Sequence, residues 1–190
     1  MYSGQHATRQ QPSIIRSIVN IVVIIALVMG LSWALSNFVF KAYEIPSGSM
    51  ETTIMPGDRL FSEKVTYYFE EPKAGEIVTF NDPQIPSRIL IKRVIATGGQ
   101  QVDLRDGYVY VDGVQLDEPY TNGLPSYELT PVRGLEISYP YTVPEGEVWV
   151  MGDNRVNSQD SRYFGSIPVS SITGKAALIY WPFSNFGLVE

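Results

Sequence analysis

The sequence predicts a mostly β protein carried behind one N-terminal transmembrane helix, and three observations lead there. No charged residue lies between Arg16 and Lys41. The chain beyond that gap breaks into short β-branched and aromatic runs separated by Pro, Gly and Asp. Its composition, with 12 Tyr, 16 Gly and 13 Pro in 190 residues, suits a turn-rich sheet better than a helical bundle.

Residues 1–16 read as a polar tail and 17–40 as the anchor. About 24 helical residues at 1.5 Å each reach about 36 Å, enough to cross a hydrocarbon core of about 30 Å with some tilt. Asn20, Ser32 and Asn37 are too few and too scattered to make the polar stripe of a buried soluble helix. A cleavable leader is the competing reading, since Ser32-Trp33-Ala34 is a small-x-small pattern near the end of the run. The run nevertheless exceeds the roughly 7–15 residues of a usual leader core, which favours retention. Arg9 and Arg16 precede the segment, so the positive-inside rule places the tail in the cytoplasm and residues 41–190 on the outer face.

Within 41–190, a stretch long enough for one core, strands are expected at Glu76–Phe80, Ile89–Ile95, Gln101–Leu104, Tyr108–Val111, Val114–Leu116, Glu147–Met151 and Lys175–Trp181. Asp112-Gly113, between two of these runs, signals a two-residue hairpin. Residues 118–144 carry Pro and Gly with weak periodicity and read as an insertion or extended loop. Tyr67, Tyr68, Phe69, Trp181 and Phe183 are candidates for contact with the membrane interface, or for ordinary core and surface roles.

Composition also restricts the chemistry. There is no cysteine, and the one histidine, His6, lies in the tail, so thiol nucleophiles, thiolate metal sites and imidazole-based triads are excluded from 41–190. Any catalytic base must be Lys, Asp, Glu or Tyr. No cofactor or metal is implied. A net charge of −6 and a pI near 4.8 argue against a nucleic-acid partner.

Three segments carry the remaining chemical interest. Ile45-Pro46-Ser47-Gly48-Ser49-Met50 places two hydroxyls on a tight loop just beyond the anchor, with Pro46 holding Ile45 extended and Gly48 expected to permit a sharp turn; alone, it fits a solvated linker equally well. Arg88-Ile89-Leu90-Ile91-Lys92-Arg93-Val94-Ile95 puts Lys92 on one strand face with Leu90 and Val94. Burial there would favour a neutral amine, although a snorkelling lysine remains open. The segment from Gly152 to Gly165 follows a strand with two aspartates, two arginines and two serines, a pattern of either a polar turn or a preorganised wall beside a site.

Together with Ala74-Gly75-Glu76-Ile77-Val78-Thr79-Phe80, these segments resemble, in order and behind an anchor, the bacterial type I signal peptidases, serine proteases that use a Ser-Lys dyad. The single anchor resembles the smaller members. The resemblance implies an antiparallel β-sheet catalytic domain of the signal peptidase I fold that removes leaders from exported preproteins, cutting after small residues of Ala-X-Ala type. It implies Ser49 as nucleophile, Lys92 as general base, the Ser49 N–H and Ser47 hydroxyl as oxyanion hole, and Ser158 as the group orienting Lys92. Asp160 and Arg162 match the family's structural ion pair, with Asp153 in support. Tyr43, Ile45, Pro46, Met50, Leu90 and Ile91 would line the substrate pockets. Val156 stands where the family often has Asp. The implied partners are exported preproteins, the lipid bilayer and the export translocon; the implied location is the cell membrane, single-pass. A peptidase dedicated to one substrate and a non-enzymatic anchored binder of exported chains are the rivals.

Overall fold

The computed structural model describes residues 14–189; His6 and Arg9, and with them most of the expected tail, lie outside the described residues. It contains two units, divided between Phe38 and Val39. The first is helix α1, Ile14–Phe38, whose Ile14–Ser36 portion has a mean hydropathy of 2.6 and is long and apolar enough to span a membrane. The helix begins and ends two or three residues before the expected limits. Phe40 already belongs to a strand, because the apolar run continues past the point where helical backbone stops.

The second unit is built on antiparallel strands: β1 Phe40–Glu44, β2 Arg59–Glu63, β3 Ile77–Asn81, β4 Ile89–Thr97, β5 Gln101–Arg105, β6 Tyr108–Val111, β7 Val114–Gln115, β8 Tyr141–Thr142, β9 Glu147–Met151, β10 Ile167–Pro168, β11 Ile172–Trp181 and β12 Gly187–Leu188. A short helix, α2, covers Ser161–Phe164. The larger sheet runs β1-β2-β11-β3-β4-β9-β10, with β12 also on β11; the smaller runs β7-β6-β5-β8. The expected hairpin forms at Asp112-Gly113, where both residues have positive φ (52° and 80°), the twist a two-residue turn requires.

Strand alternation sorts the core. Val78 lies opposite Lys92 and Phe80 opposite Leu90, and this face of β3 and β4 buries Val78, Phe80 and Val94 with Val148, Val150, Phe164 and Ile167. Ile77 and Ile91 point the other way, into a cluster with Ile45, Met50, Ile54, Leu60, Ala176 and Ile179. The smaller sheet closes over Trp149 and Met151 through Val102, Val109 and Val111. Lys92 thus sits in the middle strand region of the large sheet on a face otherwise lined by hydrocarbon.

Residues 118–144 are irregular apart from a turn of 3-10 helix at Pro119–Thr121 and strand β8. Their order comes from outside. Arg155 donates to Glu118 at 2.6 and 3.0 Å and to Ser126 Oγ at 2.6 Å, while Arg162 donates to the Tyr127 carbonyl at 3.1 Å.

Candidate active site

Ser49 sits in a single 3-10 turn, Gly48–Met50, just after β1. The loop beneath it is closed by the Ile45 N–H on the Asp58 carbonyl (2.9 Å) and the Gly57 N–H on the Ile45 carbonyl (2.8 Å). The tight turn expected at Gly48 forms as this 3-10 turn, without a left-handed conformation at Gly48. Its lack of a side chain also leaves room for the Glu51 carboxylate, which a Cβ would approach to 2.6 Å. Glu51 and the Gly48 carbonyl both accept from Asn154 Nδ2, at 3.1 and 3.0 Å, and the Asn154 N–H donates to the Ser49 carbonyl at 3.2 Å. The serine turn is therefore held from the segment after β9.

The same segment requires Gly152. A Cβ there would lie 2.3 Å from Ser158 Oγ and 2.4 Å from the Ser49 carbonyl oxygen, so only glycine allows the serine turn to pack this closely.

Lys92 reaches Ser49 from β4. Its Nζ and Ser49 Oγ are hydrogen-bonded at 2.6 Å, and the lysine is only 3% exposed. Burial pushes the amine down from its ordinary 10.5 to about 8; Asp160 and Asp153 pull it back up, while the Arg88 and Arg162 cations press it further down. A buried amine half neutral near pH 8 and touching a serine hydroxyl can accept a proton from it.

Each of the two aspartates has its own guanidinium. Asp153 accepts from Arg93 Nε and Nη2 at 2.9 and 2.7 Å and from Thr53 Oγ1 at 2.5 Å. Asp160 accepts from Arg162 Nε and Nη2, both at 2.9 Å, and from the Gly152 N–H at 3.1 Å, besides capping α2. Burial alone would raise the Asp160 carboxyl, but Arg162 and the Gly152 N–H outweigh it and hold the group below its usual range. The expected Asp160–Arg162 pair is thus formed, and Asp153 has the partner Arg93, which sequence reasoning missed.

Beside Lys92 and Ser49 opens a cleft of about 830 Å³ whose walls include Ser47, Leu90, Val156, Ser158 and Tyr163. An adjoining apolar recess of about 200 Å³ is lined by Tyr43, Ile45, Pro46, Ile89, Leu90 and Ile91 together with the two dyad candidates. Ser47 is exposed at its mouth. Ser158 Oγ is buried in the wall of the cleft, on the side of Asp160. Met50 is fully buried with Ile45 and Ile91 in the core and is not among the lining residues of either cavity. No group of three or more His, Asp or Glu side chains suited to a metal occurs among the described residues.

Comparison with known proteins gives the family. The family model described as signal peptidase, peptidase S26, matches residues 15–181. The chain belongs to the peptidase S26 family of signal peptidases. A probable signal peptidase I-1 from Synechocystis is 42% identical over 86% of this chain and 81% of the relative. The signal peptidase I of Mycobacterium tuberculosis is 35% identical over 84% and 71% respectively. A crystal structure of a signal peptidase I from Enterococcus faecalis, 34% identical, covers 56% of this chain and 97% of that one at a TM-score of 0.46. Members of the family are serine protease hydrolases, and the substrates of this peptidase are preproteins bearing signal peptides. Helix α1 fits a membrane-anchored protein of this kind.

Proposed function

We propose that Ser49 and Lys92 form the catalytic dyad of a membrane-anchored signal peptidase that cuts exported preproteins after small residues. The observation that carries this reading is the 2.6 Å contact between a serine hydroxyl and a buried lysine whose amine is half neutral near pH 8.

Neutral Lys92 takes the Ser49 proton as Oγ attacks the scissile carbonyl. The resulting ammonium then protonates the departing amine, leaving an acyl group on Ser49. In the second half, Lys92 accepts a proton from water as it attacks that ester, and returns it to Ser49 Oγ. The oxyanion of both tetrahedral intermediates is held by the Ser49 N–H and the Ser47 hydroxyl. Ser158 limits the rotation of the Lys92 amine. The Asp153–Arg93 and Asp160–Arg162 pairs fix the Gly152–Arg162 segment against the serine turn, which keeps the dyad in register.

Tyr43, Ile45, Pro46, Leu90 and Ile91 form shallow apolar walls, and a recess of about 200 Å³ suits side chains of alanine size. The helix retains the enzyme in the membrane with the peptidase unit on the outer face, where the cut sites of exported chains emerge beside the translocon. Anchoring raises the effective concentration of enzyme and substrate at that surface.

The test is cleavage of a precursor with Ala at the first and third positions before the cut. Ser49→Ala and Lys92→Ala should each abolish cleavage while the thermal unfolding transition remains. Residual activity above one-hundredth of wild type in either variant would end the dyad assignment. Protease digestion of intact cells, removing the C-terminal portion but leaving the helix, would establish the orientation; full protection would reverse it.

A further inference from the structure

Between β3 and β4 the chain makes a loop, Asn81-Asp82-Pro83-Gln84-Ile85-Pro86-Ser87-Arg88, that ends at the rim of the cleft and that the dyad mechanism does not use. It is unusually well fixed for a loop. The Asp82 N–H donates to the Arg88 carbonyl at 2.9 Å and the Arg88 N–H to the Ile85 carbonyl at 2.8 Å, closing its base. The Asp82 carboxylate, 1% exposed, accepts the Gln84 and Ile85 N–H groups at 2.7 and 3.2 Å through Oδ1. Its Oδ2 takes the Arg88 guanidinium through Nε and Nη2. Two prolines remove further backbone freedom.

Arg88 itself remains half exposed, its side chain 50% accessible. It lines both the large cleft and the apolar recess. Of the other charged groups on these walls, Lys92 is buried, Asp82 is enclosed by Arg88, and Glu44 is an anion paired with Arg59 at 3.1 Å, which leaves Arg88 as the cation with an accessible edge. The surface an extended substrate meets therefore carries one half-exposed guanidinium, held in place by Asp82. With Nε and Nη2 turned to Asp82, the outer Nη1 edge of this guanidinium is the part suited to bind a substrate carboxylate, and little side-chain freedom remains to be lost.

We infer that Arg88 is a specificity-determining residue, a subsite that selects precursors with an acidic side chain near the cut and disfavours those with a basic one. The inference rests on the dyad reading above. Arg88 immediately precedes β4 and lies four residues before Lys92, about 13 Å at about 3.3 Å per residue, so an extended substrate presents its residue about four positions from the scissile bond. The reach of the two side chains widens this to one or two positions on either side.

The experiment compares kcat/KM for a precursor peptide with Ala at the first and third positions before the cut, and Glu, Gln or Lys placed singly at positions two to five before and after it. The full-length enzyme in detergent is used. At one position within this range, Glu should be preferred over Gln by about five- to tenfold and Lys disfavoured by a similar factor. The preference should shrink about threefold or more between 0.05 and 0.5 M salt, as an exposed charge contact does. Asp82→Asn/Arg88→Gln, which keeps the loop neutral, should bring the Glu-to-Gln ratio close to one, whereas Arg88→Lys should retain part of it. A wild-type ratio near one at every position overturns the inference even if the double variant fails to fold, as does an unchanged ratio in that variant. If wild type cuts none of the peptides, the dyad reading falls and the inference with it; uniform cutting removes the inference alone.

Discussion

Lys92 offers a quantitative test of the proposed chemistry, because the same burial that makes it a base also makes it a burden on the fold. Its amine is depressed from 10.5 to about 8 at a position 3% exposed. At about 1.4 kcal/mol per pH decade, that depression corresponds to about 3 kcal/mol. About one-tenth of the enzyme then holds a neutral lysine at pH 7, against about 0.03% for an ordinary lysine, a gain of about 300-fold in usable base. The value of kcat/KM should rise about tenfold per pH unit from 6 to 7.5 and level off above 8 to 8.5, reporting the free enzyme. Stability should move with it. The unfolded chain keeps its Lys92 proton up to about 10.5 while the folded chain releases it near 8, so between these values unfolding takes up a proton and stability increases with pH. Below pH 8 both states are protonated and the folded state bears the full penalty. Relative to Lys92→Met, wild type should therefore be about 3 kcal/mol less favoured at pH 7 than at pH 10.5, read from denaturant titrations of both proteins at each pH. A rate plateau already present at pH 6, or a stability difference that does not change with pH, would refute the reasoning.

Three further outcomes follow from the packing around the dyad. Gly152→Ala should lower kcat by about 100-fold, since its Cβ must push Ser158 or the Ser49 carbonyl away by about 1 Å; an active variant would show that the serine turn tolerates the displacement. Arg93→Met should destabilise the protein by about 3–5 kcal/mol in denaturant, because it leaves the Asp153 carboxylate buried and unpaired. Arg93→Met with Asp153→Leu should recover most of that loss, and a single variant within 1 kcal/mol of wild type would contradict the pairing argument. Ser47→Ala should reduce kcat by about 10²–10³ with little change in KM, the mark of a donor used in the transition state; an unchanged kcat removes Ser47 from the oxyanion hole.

Local patterns in the sequence were enough for some of this architecture. Asp112-Gly113 demands positive φ at both positions, and alternation along β4 places Lys92 with Leu90 and Val94, as found. Strands β1 and β2 were not recognised. In β2, Leu60 and Ser62 are the inward residues, and Ser62 is buried by pairing its hydroxyl with Thr79, a partner on another strand. In β1 the side chains are mostly exposed, so no apolar alternation marks it. The irregular 118–144 stretch has no periodic signal because arginines from elsewhere, Arg155 and Arg162, supply its hydrogen bonds. Arg93 escaped notice for a similar reason: Asp153, the group that gives its burial meaning, is 60 residues away. Met50 illustrates the converse, since adjacency to Ser49 suggested a pocket wall while its side chain turns into the core.

The distances along the chain between the pieces of this site have a consequence for when the enzyme becomes active. Ser49 and Lys92 are 43 residues apart, and the Asn154 side chain that grips the serine turn lies 106 residues beyond Gly48. At about 5–20 residues per second of synthesis, roughly 5–20 s separate the appearance of the proposed nucleophile from that of Asn154. During that interval the chain carries a serine and a lysine but no enclosure to strip the amine of its proton. Under the proposed mechanism, proteolytic competence thus arrives with the segment after β9 rather than with Ser49 and Lys92 themselves, and a half-made chain that lacks this segment is inert.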